Sequence, residues 1–81
     1  MASATTELVS YLVAAIVEDP GQVEVAEFEE GDELVLEVRV AQEDLGRVIG
    51  REGRVAKAIR TIARAAGSSE ERRISVDIVE D

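Results

Sequence analysis

Gly50 and Gly53 stand three apart in "DLGRVIGREGRVAKAIRTIARAA", residues 44–66, and each flank carries apolar residues at helical spacing. Leu45, Val48 and Ile49 make one side of a short helix that stops at Gly50, and a second helix is predicted from Arg54 to Ala66. Only two residues separate the glycines, so the chain must break one helix and begin another within a single turn of backbone. Glycine permits this because it has no Cβ to clash at positive φ. The same bareness leaves peptide N–H groups open to a ligand, and the second helix aims the positive end of its dipole at them. At about 100° per residue, Val55, Ala58, Ile59, Ile62, Ala63 and Ala66 gather on one half of that helix, while Arg54, Lys57, Arg60, Thr61 and Arg64 fill the other.

The period of hydrophobicity changes elsewhere along the chain. Thr5 or Thr6 is placed to cap a first helix that stops at Asp19-Pro20-Gly21, with Leu8, Leu12, Ala15 and Ile16 on one face, widened by Val9 and Val13. Val23, Val25 and Phe28 alternate with glutamates, and Leu34, Leu36, Val38 and Val40 alternate more strictly; Gly31-Asp32 between them predicts an antiparallel hairpin. Gly67-Ser68-Ser69 is expected to end the second helix of the hinge, and Ile74, Val76 and Ile78 form a last strand. The expected fold is α+β in the order α-β-β-α-α-β, with a three-stranded mixed sheet covered on one face by three helices. The crossover from residue 40 to residue 72 is long enough for the last strand to run parallel to the strand at 34–40. One domain fills residues 1–81, with 1–4 flexible. Tyr11 and Phe28, the only aromatic residues, read as core.

Several function classes drop out. The chain has no cysteine and no histidine, which excludes disulfides, the usual zinc sites and Cys or His nucleophiles. Its 18 acidic residues are scattered through turns and polar strand faces rather than paired in an apolar setting, so no enzymatic acid–base pair is expected. Gly50-Arg51-Glu52-Gly53 lacks the longer loop and Lys-Ser/Thr pair of a nucleotide-hydrolysing P-loop. No cofactor and no metal are expected. The apolar run Leu8–Val17 is about half the roughly 20 residues that span a bilayer, and "MASATTE" lacks the basic start of a secretory signal. A cytoplasmic protein with no membrane contact is the expectation.

The formal charge of −9 argues against indiscriminate adhesion to nucleic acid. That mean conceals a division. Residues 47–64 hold six bases (Arg47, Arg51, Arg54, Lys57, Arg60, Arg64) against Glu52 alone, a net +5, which leaves −14 for the rest. The positive charge surrounds the glycine pair.

The run Val48-Ile49-Gly50-Arg51-Glu52-Gly53-Arg54-Val55, followed by Ala56-Lys57-Ala58-Ile59, resembles the hallmark of the KH domain: an isoleucine-glycine step, two variable residues, a second glycine and an amphipathic helix. With a helix and a strand ahead of the shared core, the order resembles that of a type II KH domain. The opening "ELVSYLVAAIVEDP" and the ending "VDIVED" make the chain similar to the small bacterial KhpA (YlqC-like) family over residues 6–79. The resemblance implies a noncatalytic single-stranded RNA-binding module, an RNA chaperone or post-transcriptional regulator, whose GxxG loop clamps the backbone of about four nucleotides. By position, Gly50, Arg51, Glu52 and Gly53 would contact sugar and phosphate. Ile49, Val55 and Ile59 would lie beside the bases, Arg47, Arg54 and Lys57 near phosphates, and the strand at 72–79 would form the far wall. Glu52 departs from the basic or neutral residue of many KH loops, and its carboxylate opposes a phosphate. The family is also thought to pair with itself or with a larger KH partner of the Jag/KhpB type, for which Ala56, Ile59 and Ala63 are the candidate interface. The alternative is a protein-interaction adaptor on a KH scaffold with little RNA affinity.

Overall fold

The computed structural model describes residues 3–80. The strict alternation at Leu34, Leu36 and Val38 becomes strand β2 (Glu33–Arg39), and all three side chains are buried. Strand β1 (Glu24–Glu30) pairs with it antiparallel, closed by the two-residue turn Gly31-Asp32 between Glu30 and Glu33. Gly31, at φ 61°, takes the positive φ that primed hairpin turns require at their first central position. Strand β3 (Arg73–Ile78) runs parallel to β2, with Leu34 opposite Ile74, Leu36 opposite Val76 and Val38 opposite Ile78. The sheet order is β1-β2-β3, so β2 is central and β3 is an edge.

Three helices cover one face: α1 (Ala4–Ile16), α2 (Leu45–Ile49) and α3 (Arg54–Ser69). Val9 and Val13 of α1, Val48 of α2, and Ala56, Ile59 and Ala63 of α3 meet the even-numbered residues of β2 and β3 in one core. Fully burying a valine or leucine side chain stabilises by roughly 1.5–3 kcal/mol. The expected architecture and strand directions are therefore those observed. Of the residues expected to be flexible, 1 and 2 lie outside the described residues, and Ser3 caps α1, its Oγ accepting the Thr6 N–H at 3.1 Å. No helix among the described residues is long and apolar enough to cross a membrane.

Several side chains fall on a different face from the one their spacing predicts. The buried side of α1 is Thr5, Thr6, Val9 and Val13, while Ile16 is exposed. Neither threonine is the cap, because both hydroxyls are used elsewhere. Thr6 Oγ1 donates to the Glu27 carboxylate of β1 and Thr5 Oγ1 to Glu70 beyond α3, which lets two polar residues lie inside. The hydrogen bonds from the Thr6 hydroxyl and then the Ser3 amide hold the Glu27 carboxyl below its ordinary 4.5. The aromatic residues are not core. Tyr11 is 72% exposed, and Phe28, at 48%, pairs with Val35 on the open face of the sheet, opposite in parity to Leu34 and Leu36.

The end of α3 also differs. Gly67 lies inside the helix and is buried, and the stop comes at Glu71, which adopts φ 58°. The Gly67 carbonyl accepts the N–H groups of Glu70 at 3.0 Å and Arg72 at 2.8 Å, closing the helix end. A Cβ on Gly67 would stand 2.2 Å from Ile74 Cγ1 and 3.0 Å from the Arg72 carbonyl oxygen, so its role is close packing of helix on strand. Ala58 is exposed and Ile62 is 41% exposed, because the buried arc of α3 centres on Ala56, Ile59, Ala63 and Gly67.

Gly67→Ala is expected to lower stability by about 2 kcal/mol, since the overpacking exceeds the gain in helix propensity. Gly46→Ala in α2, where an added Cβ meets nothing within 4 Å, is expected to raise stability by roughly 0.5–1 kcal/mol. Urea unfolding of the two variants beside the parent measures both signs.

Candidate nucleic-acid interface

The hinge between α2 and α3 owes its shape to four consecutive residues. Gly50 ends α2 with its N–H bonded to the Gly46 carbonyl at 2.8 Å and takes φ 76°, ψ 173°, which is essentially a glycine-only conformation. A Cβ there would lie 2.4 Å from Val55 Cγ2 and 2.9 Å from the Val55 nitrogen. Arg51–Gly53 forms a single 3₁₀ turn, with Glu52 at φ 56° and Gly53 at φ 75°. For Glu52 this left-handed geometry costs roughly 1–2 kcal/mol. A Cβ on Gly53 would meet nothing within 4 Å, so that side of the turn faces open space.

Gly53 N–H donates to the Gly50 carbonyl at 3.2 Å and Arg54 N–H to that of Arg51. Arg51 and Glu52 open this 3₁₀ turn and both are exposed, at the end from which the first N–H groups of a helix point outward. The first turn of α3 points its partial positive charge into the same place. Arg51 also has no carboxylate within 4.0 Å among the described residues. The turn is thus a small cationic concavity made of backbone and one guanidinium.

Around it the predicted residues separate. Glu52 lies 3.7 Å from Arg54, with both side chains more than 70% exposed, so the pair contributes little. Lys57 is exposed on the same helix, while Ile49 and Val55 are half-buried at the base of the turn. Arg47 turns away and pairs with Glu18 and, at 3.6 Å, with Asp44. Ala56, Ile59 and Ala63 are at most 4% exposed within the single chain. Within the chain their surface is packed against the core.

Two residues matter that spacing does not reveal. Asp44, 2% exposed, accepts the backbone N–H groups of Glu18 and Asp19, each at 3.0 Å, and so ties the exit of α1 to the start of α2. An aspartate just before an apolar helical run signals a cap, yet this one serves a distant segment and not its own helix. Arg60 Nε donates to the Val76 carbonyl at 3.2 Å. The parallel register and the bond from Val79 N–H to the Val38 carbonyl turn the backbone groups of Ile74, Val76 and Ile78 away from β2. Arg60 therefore reaches across a groove from the basic side of α3 to the free edge of β3. Along that groove Arg54, Lys57, Arg60 and Arg64 follow one another on the helix.

A family model for the KhpA/KhpB KH domain matches residues 6–78. The RNA-binding protein KhpA of Caldanaerobacter subterraneus subsp. tengcongensis is 44% identical over 73 residues, which cover 90% of this chain and 97% of that protein. The Treponema pallidum RNA-binding protein KhpA is 36% identical over 80 residues, 99% of this chain and 100% of its own length. Among solved structures, a GDP·AlF4-bound Era variant from Aquifex aeolicus superposes with a TM-score of 0.64 at 21% identity, covering 91% of this chain. Era in complex with MgGDPNP and nucleotides 1506–1542 of 16S ribosomal RNA gives 0.65 at 21% identity. This chain spans 28–29% of the length of those two structures, and the likeness is one of fold.

The two glycines of the hinge are expected to respond differently to the same change. Gly50→Ala meets both a forbidden φ/ψ and the Val55 backbone, and should lose about 3 kcal/mol or more. Gly53→Ala has room for its methyl group and should lose only about 1 kcal/mol. Chemical denaturation of both variants checks the ranking.

Proposed function

This chain belongs to the KhpA/KhpB family of KH domains, and from that premise we propose that it binds single-stranded RNA without catalysing a reaction. One observation carries the reading: the exposed Arg51-Glu52 step of the glycine turn lies at the positive end of α3, and Arg51 has no carboxylate within 4.0 Å among the described residues. A phosphodiester supplies the acceptor oxygens and negative charge that this concavity lacks. Gly50, Arg51, Glu52 and Gly53 hold the sugar-phosphate backbone, Gly53 admitting it closely because nothing occupies its Cβ position. Bases then turn toward Ile49 and Val55 and the edge of β3, with Arg54 and Lys57 beside the phosphates. Binding requires Arg54 to exchange its weak contact with Glu52 for a phosphate. Arg47 contributes to the local field while its guanidinium stays on Glu18 and Asp44. The role this assigns is an RNA chaperone or post-transcriptional regulator in the cytoplasm.

A protein-interaction adaptor is the second reading, and Glu52 at the tip of the turn together with the formal charge of −9 favours it. Salt separates the two. RNA capture weakens with salt at a log–log slope of about −0.7 per phosphate neutralised, whereas an adaptor binds a protein through residues 54–66 and shows no salt-sensitive RNA binding. Pairing with a second KH chain, of the same kind or a larger one, is a further part of this proposal. On α3 the apolar surface available to it is Ala58 and Ile62. Light scattering tests the homodimer, and a strict monomer at tens of micromolar removes it.

Replacing Arg51 and Glu52 together by aspartate should leave the fold intact and abolish crosslinking to RNA. A double variant that crosslinks as well as the parent overturns the loop as the site.

A further inference from the structure

The basic groove continues past the hinge to the other end of α3. There a cleft of about 380 Å³ is lined by Glu33, Arg64, Arg72, Arg73, Ile74 and Ser75. Close packing at Gly67 creates it, because the missing Cβ lets the last turns of α3 settle on Arg72 and Ile74 and brings Arg64 beside the start of β3. Three arginines, from α3, from the link after it and from β3, line one opening.

Their partners are unequal. Arg72 is 3.0 Å from Glu29, and Arg39, Arg47 and Arg54 each have a carboxylate within reach elsewhere. Arg64 and Arg73 have none within 4.0 Å among the described residues, in a chain with 18 acids to nine bases. Glu33 lines the same cleft and stands opposite Arg73 in the sheet, yet makes no ion pair with either. Arg64 from α3 and Arg73 from the open face of the sheet border this opening at the edge of β3, and an anion seated there meets positive charge from both sides. The parallel register adds a third donor, since the Ile74 N–H faces the free edge of β3 at this cleft. Guanidinium groups with a backbone N–H suit a phosphate, which they bind in forked geometry.

Position decides which phosphate. Arg54 and Arg64 are ten residues apart on one helix, or about 15 Å at 1.5 Å per residue, with Lys57 and Arg60 between them on the same side. We propose that the Arg64–Arg73 cleft is a second phosphate subsite, which extends the RNA track beyond the roughly four nucleotides held at the glycine turn. This rests on the reading of that turn as an RNA clamp. The turn grips one end of the strand, and the cleft grips a phosphate several nucleotides along it.

The test compares the parent with Arg64→Ala/Arg73→Ala by fluorescence anisotropy on labelled oligouridylates of four, six, eight and ten nucleotides. Both side chains are on exposed residues, and thermal melts check that the fold is kept. The parent should gain about tenfold in affinity between four and eight nucleotides, and the double variant less than about threefold, with equal affinity for the shortest oligomer. At eight nucleotides its log–log salt slope should be shallower by about 0.7, the value for one phosphate. Arg64→Lys/Arg73→Lys should keep the slope while losing part of the affinity. A double variant that retains the parent's full gain with length overturns the subsite and leaves the glycine turn intact. So does a parent that binds the shortest oligomer through Arg51 and Glu52 but gains nothing with length. A parent that binds no oligouridylate at any length overturns the subsite together with the RNA reading on which it stands.

Discussion

Two missing side chains fix the position of α3, and every candidate site hangs from that helix. At its start the space of a Gly50 Cβ is taken by Val55, which seats the end of α2 on the first turn of α3. Near its end the space of a Gly67 Cβ is taken by Ile74, which seats the helix on the start of β3. Between them Ala56 and Ala63, small and buried, let the helix approach the sheet while Ile59 fills the remaining gap. Neither approach tolerates a methyl group without movement of backbone or core, since packed interiors have no slack at that scale. The strained turn is therefore held by contacts on both sides, as a sparsely populated backbone conformation must be.

The charge arrangement follows from the same frame. Carboxylates near α1 and α2 are engaged in structure: Asp44 on two backbone amides, Glu18 on Arg47, Glu27 on Thr6 and Ser3. Those along β1 and β2 fall mostly on the open sheet face or the hairpin, away from α3. The cations of α3, by contrast, are mostly left to solvent along one side of the helix. Arg60 is the exception, and its bond to Val76 shows that this side looks over the edge of β3. An edge strand with unpaired backbone groups invites association. Here the arginine side chain covers part of that edge.

Much of this was legible in the sequence. Period-2 alternation of apolar residues marks β2 and β3, and the Gly50–Gly53 spacing marks the hinge, because both signals are local. The face of α1 was not legible for a physical reason. Leu8, Val9, Leu12, Val13, Ala14, Ala15 and Ile16 put apolar groups nearly all round the helix, and burial of Thr5 and Thr6 depends on acceptors at Glu70 and Glu27. Phe28 is a different case. A two-residue turn at Gly31-Asp32 places it opposite Val35, so the turn length already assigns it to the open face. Gly67 has the composition of a helix stop but the environment of a packing contact, and that environment is supplied by Ile74, seven residues on. Asp44 and Arg60 bond to main-chain groups, which leave no trace in residue type.

An acidic protein can still present a cationic track, and its dimensions explain why. The molecule measures 34 × 26 × 21 Å along its principal axes. At physiological ionic strength the screening length is about 8 Å, so charges on opposite faces, separated by more than two such lengths, barely act on one another. A phosphate approaching α3 therefore feels the local run of five net positive charges in residues 47–64 far more than the −14 elsewhere. Away from that face the acids dominate and repel it. The consequence is geometric: the local potential favours an anion along one side of α3 and disfavours it over the remaining surface. Specificity of place then comes from where charge is withheld as much as from where it is supplied.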